Sequence, residues 1–212
     1  MNEWPIIHAE RCDAREVQFT NEHAMIHLAD ERIMGVPLAW FPPIQRATNE
    51  QRRNHTCYGD TIHWHDVDDG IDLTAMLTGL YIVQVSQRNS RSEPHVPITW
   101  LYLDGGARRS GDIEGVPFVQ DTRNFPQDIR FEDNNLIFDL ADGRILCMPA
   151  SFAPRLAKAN DSQRMDFQRT GLTLRWEDLD EDINLIAMLT GFYDLDKPHP
   201  EPAVEKAEAT TT

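Results

Sequence analysis

Residues 73–79 read LTAMLTG, and residues 185–191 read LIAMLTG. The two heptads lie 112 positions apart. Extending the comparison outward at that fixed offset aligns residues 17–80 with residues 129–192 without a gap, and 23 of the 64 aligned positions are identical. Among them are Phe19 with Phe131, Arg32-Ile33 with Arg144-Ile145, Pro37 with Pro149, Gln51-Arg52 with Gln163-Arg164, and Trp64 with Trp176. A gap-free internal match marks two copies of one folding unit. A unit of about 65 residues is small for an independent core, which gives the copies a reason to lean on each other but leaves open whether they pack together.

Periodicity within a copy predicts the elements. Val17 and Phe19 alternate with polar residues, Asn21-Glu22 is a turn, and Met25 to Leu28 reads as a second strand. The matching turn in copy two, Asp133-Asn134-Asn135, has stronger turn chemistry. Ala29-Asp30-Glu31-Arg32 and Ala141-Asp142-Gly143-Arg144 read as tight hairpins into third strands at Ile33–Val36 and Ile145–Met148. Short helices are expected over Leu38–Ala47 and Ser151–Ala159, with Pro42 and Pro154 in the first turn. Thr48-x-x-Gln51 has the form of a capping box, and Asn160 or Asp161 can cap in copy two. A fourth strand is expected at Thr61–Trp64 and Thr173–Trp176. Each copy then closes on an amphipathic helix, with Leu73, Met76, Leu77 and Leu80 or Leu185, Met188, Leu189 and Phe192 as its apolar face.

The predicted fold class is therefore α+β: two copies of a small antiparallel β-meander plus short helices, joined by a partly ordered connector. The expected divisions are a first repeat domain with an N-terminal extension at 1–80, a connector at 81–128 with room for one hairpin, a second repeat domain at 129–194, and a disordered tail at 195–212. Val96 to Leu103 is rich in strand formers and runs into the turn Asp104-Gly105-Gly106.

The 212 residues carry 35 acids against 20 bases, a net charge of −15, and each of the segments 1–16, 17–80, 81–128, 129–192 and 193–212 is net acidic. Phosphate backbones are bound by displacing counterions with Lys and Arg, so direct nucleic-acid binding is disfavoured. Basic or neutral protein partners, or mimicry of a polyanion, remain. No apolar run approaches the roughly 18 residues of a membrane helix, and no signal peptide is apparent, so a cytoplasmic location is expected. Cys12, Cys57 and Cys147 match neither a disulfide framework nor a zinc motif.

The strings HLADERIMGVPLAWFPPIQRATNEQRRN (27–54) and IHWHDVDDGIDLTAMLTG (62–79), with LADGRILCMPASFAPRLAKA and LRWEDLDEDINLIAMLTG in copy two, resemble the bacterial and phage domain of unknown function 2442. The resemblance spans both copies. It implies small α+β interaction domains without an established activity, often encoded in toxin–antitoxin-like pairs. Copy two departs at Phe152-Ala153, where copy one has Trp40-Phe41.

Candidate chemistry falls in three places. Trp40 and Phe41, beside two prolines, read either as core or as an exposed aromatic anchor. The acidic stretches Asp66, Asp68, Asp69 and Glu177, Asp178, Asp180, Glu181 read as helix-capping carboxylates or as a partner-facing patch. Their spacing does not fit a calcium loop. His63 and His65 share a strand face and, with His55 or Cys57, form the best metal candidate, but Arg175 and Glu177 replace the pair in copy two. Trp64 and Trp176 read as core. No nucleophile elbow, phosphate loop or zinc-protease motif is present. The expected function is thus a non-catalytic, cofactor-free protein-binding module, antitoxin-like or regulatory. Its partner would be a protein with a basic or nucleic-acid-binding surface. The alternatives are an acidic, polyanion-mimicking inhibitor and a metal-dependent enzyme built on the first-copy histidines.

Overall fold

A computed structural model describes residues 7–79, 81–83, 98–100 and 122–193. The alternating apolar residues of copy one form β1 (Ala14–Phe19), β2 (His23–Leu28) and β3 (Ile33–Pro37), preceded by a single turn, α1 (Ala9–Cys12). The hairpin between β2 and β3 closes with Leu28 N donating to Arg32 O, and Glu31 takes a left-handed φ of 72°. Gly143 supplies that conformation in copy two without the steric cost. Pro37 ends the strand, and a 3-10 turn at Leu38–Trp40 leads into α2 (Pro42–Arg46) and α3 (Asn49–Arg53). The capping box at the start of α3 is formed: Gln51 N donates to Thr48 Oγ1, and Thr48 N donates to Gln51 Oε1.

The second half of each copy is richer in strand than the sequence suggests. The expected strand is the middle of a second meander: β4 (His55–Tyr58), β5 (Thr61–Trp64) and β6 (Asp69–Asp72), followed by α4 (Leu73–Thr78). Gly79, at φ 77°, ends α4 after six residues. The apolar face of this helix is therefore shorter than its spacing implied. Leu80 lies outside the described residues, and its match Phe192 is 49% exposed beyond the terminating Gly191. Tyr81–Val83 (β7) and Ile98–Trp100 (β8) pair antiparallel within the expected connector. The turn at residues 104–106 and the tail at 195–212 lie outside the described residues.

Copy two begins earlier than the sequence match. A 3-10 turn at Thr122–Asn124 leads into β9 (Pro126–Glu132), β10 (Asn135–Leu140) and β11 (Ile145–Pro149). A 3-10 turn at Ala150–Phe152 leads to α5 (Pro154–Lys158) and α6 (Asp161–Met165). Then come β12 (Gln168–Thr170), β13 (Thr173–Trp176), a 3-10 turn at Glu177–Leu179, β14 (Glu181–Asn184) and α7 (Leu185–Thr190). The two first meanders join edge to edge into one six-stranded sheet, in the order β1-β2-β3-β11-β10-β9. At the seam Met34 faces Leu146, its own counterpart in the other copy. A two-fold pseudo-axis therefore passes through that pair. One face of this sheet carries Ala24, Ile26, Leu28, Met34 and Val36 with Leu136, Phe138, Leu140, Leu146 and Met148, all buried in a single core with α4, α7, Trp64 and Trp176.

The repeated residues outside the strands hold the helices to this core. Trp64 Nε1 donates to Arg52 O and Trp176 Nε1 to Arg164 O, so both rings are buried with their one polar group satisfied. Arg52 lies over the Phe19 ring and donates to Ile44 O and Gln45 O at the end of α2. Arg164 repeats this over Phe131, donating to Leu156 O and Ala157 O.

Candidate functional site

A crossed pair of latches sits at the ends of α4 and α7. Arg32 is completely buried. Asp30 orients it through a 2.8 Å hydrogen bond from Nε, and its Nη1 donates to Met188 O and to Leu189 O at the C-terminus of α7 in the other copy. Arg144 is equally buried, is oriented by Asp142 at 2.8 Å, and donates through Nη1 to Met76 O at the end of α4. Each copy thus supplies the cation that satisfies the terminal carbonyls of the other copy's helix. The segment before each first strand completes the latch. Asn124 Nδ2 donates to Thr78 O and accepts at Oδ1 from Arg144. Its counterpart Cys12 donates Sγ–H to Thr190 O and lies 3.3 Å from Arg32 Nη2. Arg123 donates to Gly79 O, as Arg11 does to Gly191 O. The repeated Asp-x-Arg was visible in the sequence, but its role was not, because the acceptors lie 156 and 68 residues away.

The acidic stretches divide. Asp66 and Asp68 are exposed on the turn between β5 and β6; Glu177, Asp178 and Asp180 are exposed on the matching turn between β13 and β14. Asp68 and Asp180 both adopt a left-handed φ of 48°, a conformation Asp tolerates better than most residues. In copy two the turn is clamped by Arg155, which donates to Leu179 O and to the Asp180 carboxylate at 2.7 Å. Pro43 stands at that position in copy one. Two of the expected partner residues are corrected. Glu181 is only 3% exposed at the start of β14, where strand pairing turns it inward, and Asp69 is half-buried in β6 with its carboxylate accepting from Gly70 N. The expectation that the whole stretch caps the following helix is corrected too. It forms a turn and a strand, and only its last residue caps: Asp72 accepts from Ala75 N and Asn184 from Ala187 N.

Phe41 is a core side chain, 3% exposed, so it forms no surface anchor; the chain turns inward there, ahead of α2. Trp40 is half-buried and packs against the core. The His63 and His65 rings meet edge-on with centroids 5.0 Å apart. His65 Nε2 is bonded to Thr56 Oγ1, and His55 is bonded to Arg52 O and lies tilted against the Trp64 ring. Among the described residues no three His, Cys, Asp or Glu side chains group in a way that could hold a metal ion. Burial raises the thiol pKa of Cys12, Cys57 and Cys147, which keeps them protonated rather than nucleophilic.

A family model described as "Protein of unknown function (DUF2442)" matches the chain twice, at residues 14–81 and 126–194. The chain belongs to this family. Each DUF2442 match opens on the first strand of a sheet half and closes just past its latched helix, so the family unit contains both meanders and α4 or α7. No curated protein and no solved structure matches the chain. No helix among the described residues is long and apolar enough to cross a membrane. In this tandem DUF2442 chain the two units share one sheet and exchange their arginines, so neither unit's core is closed by its own residues alone.

Proposed function

We propose that the chain is a non-catalytic protein-binding module, antitoxin-like or regulatory in role. It would present two matched acidic turns, at Asp66–Asp68 and Glu177–Asp180, to a partner with a basic surface. The observation that carries this reading is the pairing itself. The same exposed carboxylate turn occurs in both copies, with Asp68 and Asp180 in the same conformation, on a frame whose halves are locked by a shared sheet and two buried arginines. A rigid pair of like sites suits a partner that is itself two-fold, because the second contact then forms at high effective concentration.

Capture of a partner from the native host's lysate at low and moderate salt tests this. The expected result is one protein held near one-to-one, released as salt rises, and lost when Asp66, Asp68, Asp178 and Asp180 are changed to Asn. Capture that ignores both salt and the substitutions overturns the reading. Release of the partner by added DNA or RNA assigns the acidic turns to mimicry of a polyanion.

A further inference from the structure

The acidic turns of the two copies are balanced differently. In copy two the turn between β13 and β14 comes with two arginines. Arg155 donates to Leu179 O and to the Asp180 carboxylate, and Arg175 on β13 donates to Asp182 on β14 at 2.8 Å. At the matching positions copy one has Pro43 for Arg155, His63 for Arg175 and Gly70 for Asp182. Asp66 and Asp68 are exposed on the copy-one turn, and neither guanidinium has an equivalent there.

Copy one has a pair of imidazoles instead. His63 in β5 and His65 just past its end share one face of the strand, while Ile62 and Trp64 are buried on the other. The two ring centroids are 5.0 Å apart. A tetrahedral cation that holds two imidazole nitrogens at about 2.0–2.1 Å spaces the ring centroids by about 5 Å. Thr56 Oγ1 on β4 bonds His65 Nε2 at 2.8 Å, which leaves Nδ1 as the ligating atom; a metal-bound imidazole ordinarily has its other nitrogen held by such an oxygen. Gly70 on β6 pairs with His63, and a Cβ there would lie 3.8 Å from His63 Nδ1, so the glycine leaves that edge of the ring open. The rings stand at 77°, and rotation of His63 about its Cβ–Cγ bond turns its lone pair toward His65.

We propose that His63 and His65 chelate one divalent cation of the zinc, nickel or copper class. The cation supplies beside the copy-one turn the positive charge that Arg155 and Arg175 supply beside the copy-two turn. Imidazole nitrogen selects these metals over magnesium and calcium. No third His, Cys, Asp or Glu joins the pair among the described residues, so solvent fills the remaining positions and the cation exchanges readily. Asp66 and Asp68, on the turn that begins at His65, add attraction for a cation without ligating it.

Calorimetric titration of the untagged full chain with zinc chloride tests the site. The expected result is one zinc bound per chain at micromolar concentrations, undisturbed by excess magnesium. His63→Arg with His65→Glu installs the residues that copy two carries at these positions. It should weaken zinc binding by about tenfold or more and leave the melting temperature of the metal-free chain unchanged. If that variant melts early, His65→Asn, at an exposed position, should give the same loss. In the wild type, zinc should shift the imidazole NMR signals of His63 and His65 and leave those of His23 and His27 in place. Absence of binding up to millimolar zinc overturns the proposal, and so does binding that magnesium displaces or that survives the substitutions.

Discussion

The buried arginines are the residues on which the fold depends most. Arg144 is held by an orienting carboxylate, Asn124 and the Met76 carbonyl of α4, with no access to water. Removing one partner of a buried charged pair leaves the other unsatisfied, at a cost of about 3–5 kcal/mol. Arg144→Leu should therefore lower unfolding stability in urea by about that much. A loss below about 1 kcal/mol would mean that water reaches the site. Asp72 makes a finer test. Burial and the neighbouring Asp60 raise its carboxyl pKa, although it accepts from Ala75 N. A folded-state pKa above the unfolded one means that the folded chain holds the proton more tightly. Stability then falls as pH rises from the ordinary carboxylate range through the raised value, and stays lower at neutral pH. Asp72→Asn keeps the cap, as Asn184 does in copy two, and cannot ionise. Its melting temperature should exceed that of the wild type at pH 7 and match it near pH 3.

At the scale of elements, the terminations matter more than the propensities. α4 and α7 are six residues each, too short to persist without packing and caps. Gly79 and Gly191 end them in the left-handed region, with Asn124 Oδ1 and His8 Cβ where a Cβ would point. Gly79→Ala should cost about 1–2 kcal/mol from backbone strain alone, read as an earlier urea midpoint with unchanged slope. Several elements were legible in the sequence. Turn chemistry located both first hairpins, proline placed α2 and α5, and the Thr48 and Gln51 pair announced α3. β4, β6, β12 and β14 were not legible. Gln168, Arg169 and Thr170 are all exposed, so β12 has no alternation to read. Asp69 to Asp72 looked like carboxylates heading a helix, yet all four residues pair with β5, and only the last one also caps α4. The candidate site was legible as acidic residues in matched positions. That Glu181 and Phe41 turn inward could be learned only from strand direction and from the turn ahead of α2.

The whole molecule behaves as two halves that complete each other. The first half ends at a helix whose carbonyls wait for Arg144, and the second at one that waits for Arg32. Residues 1–83 and 98–212, made separately, should each lack a cooperative melt, whereas mixing them should restore one. A cooperative transition in either half alone would show that the latches are dispensable. The shared sheet also records how such a chain differs from a pair of identical subunits. In a true two-fold pair every substitution is felt twice, so the residues on the axis are nearly frozen. Here the axis passes between Met34 and Leu146, two different side chains, and one latch closes on a thiol where the other closes on an amide. Joining the copies in a single chain lets one half drift toward a new partner while the other keeps the frame.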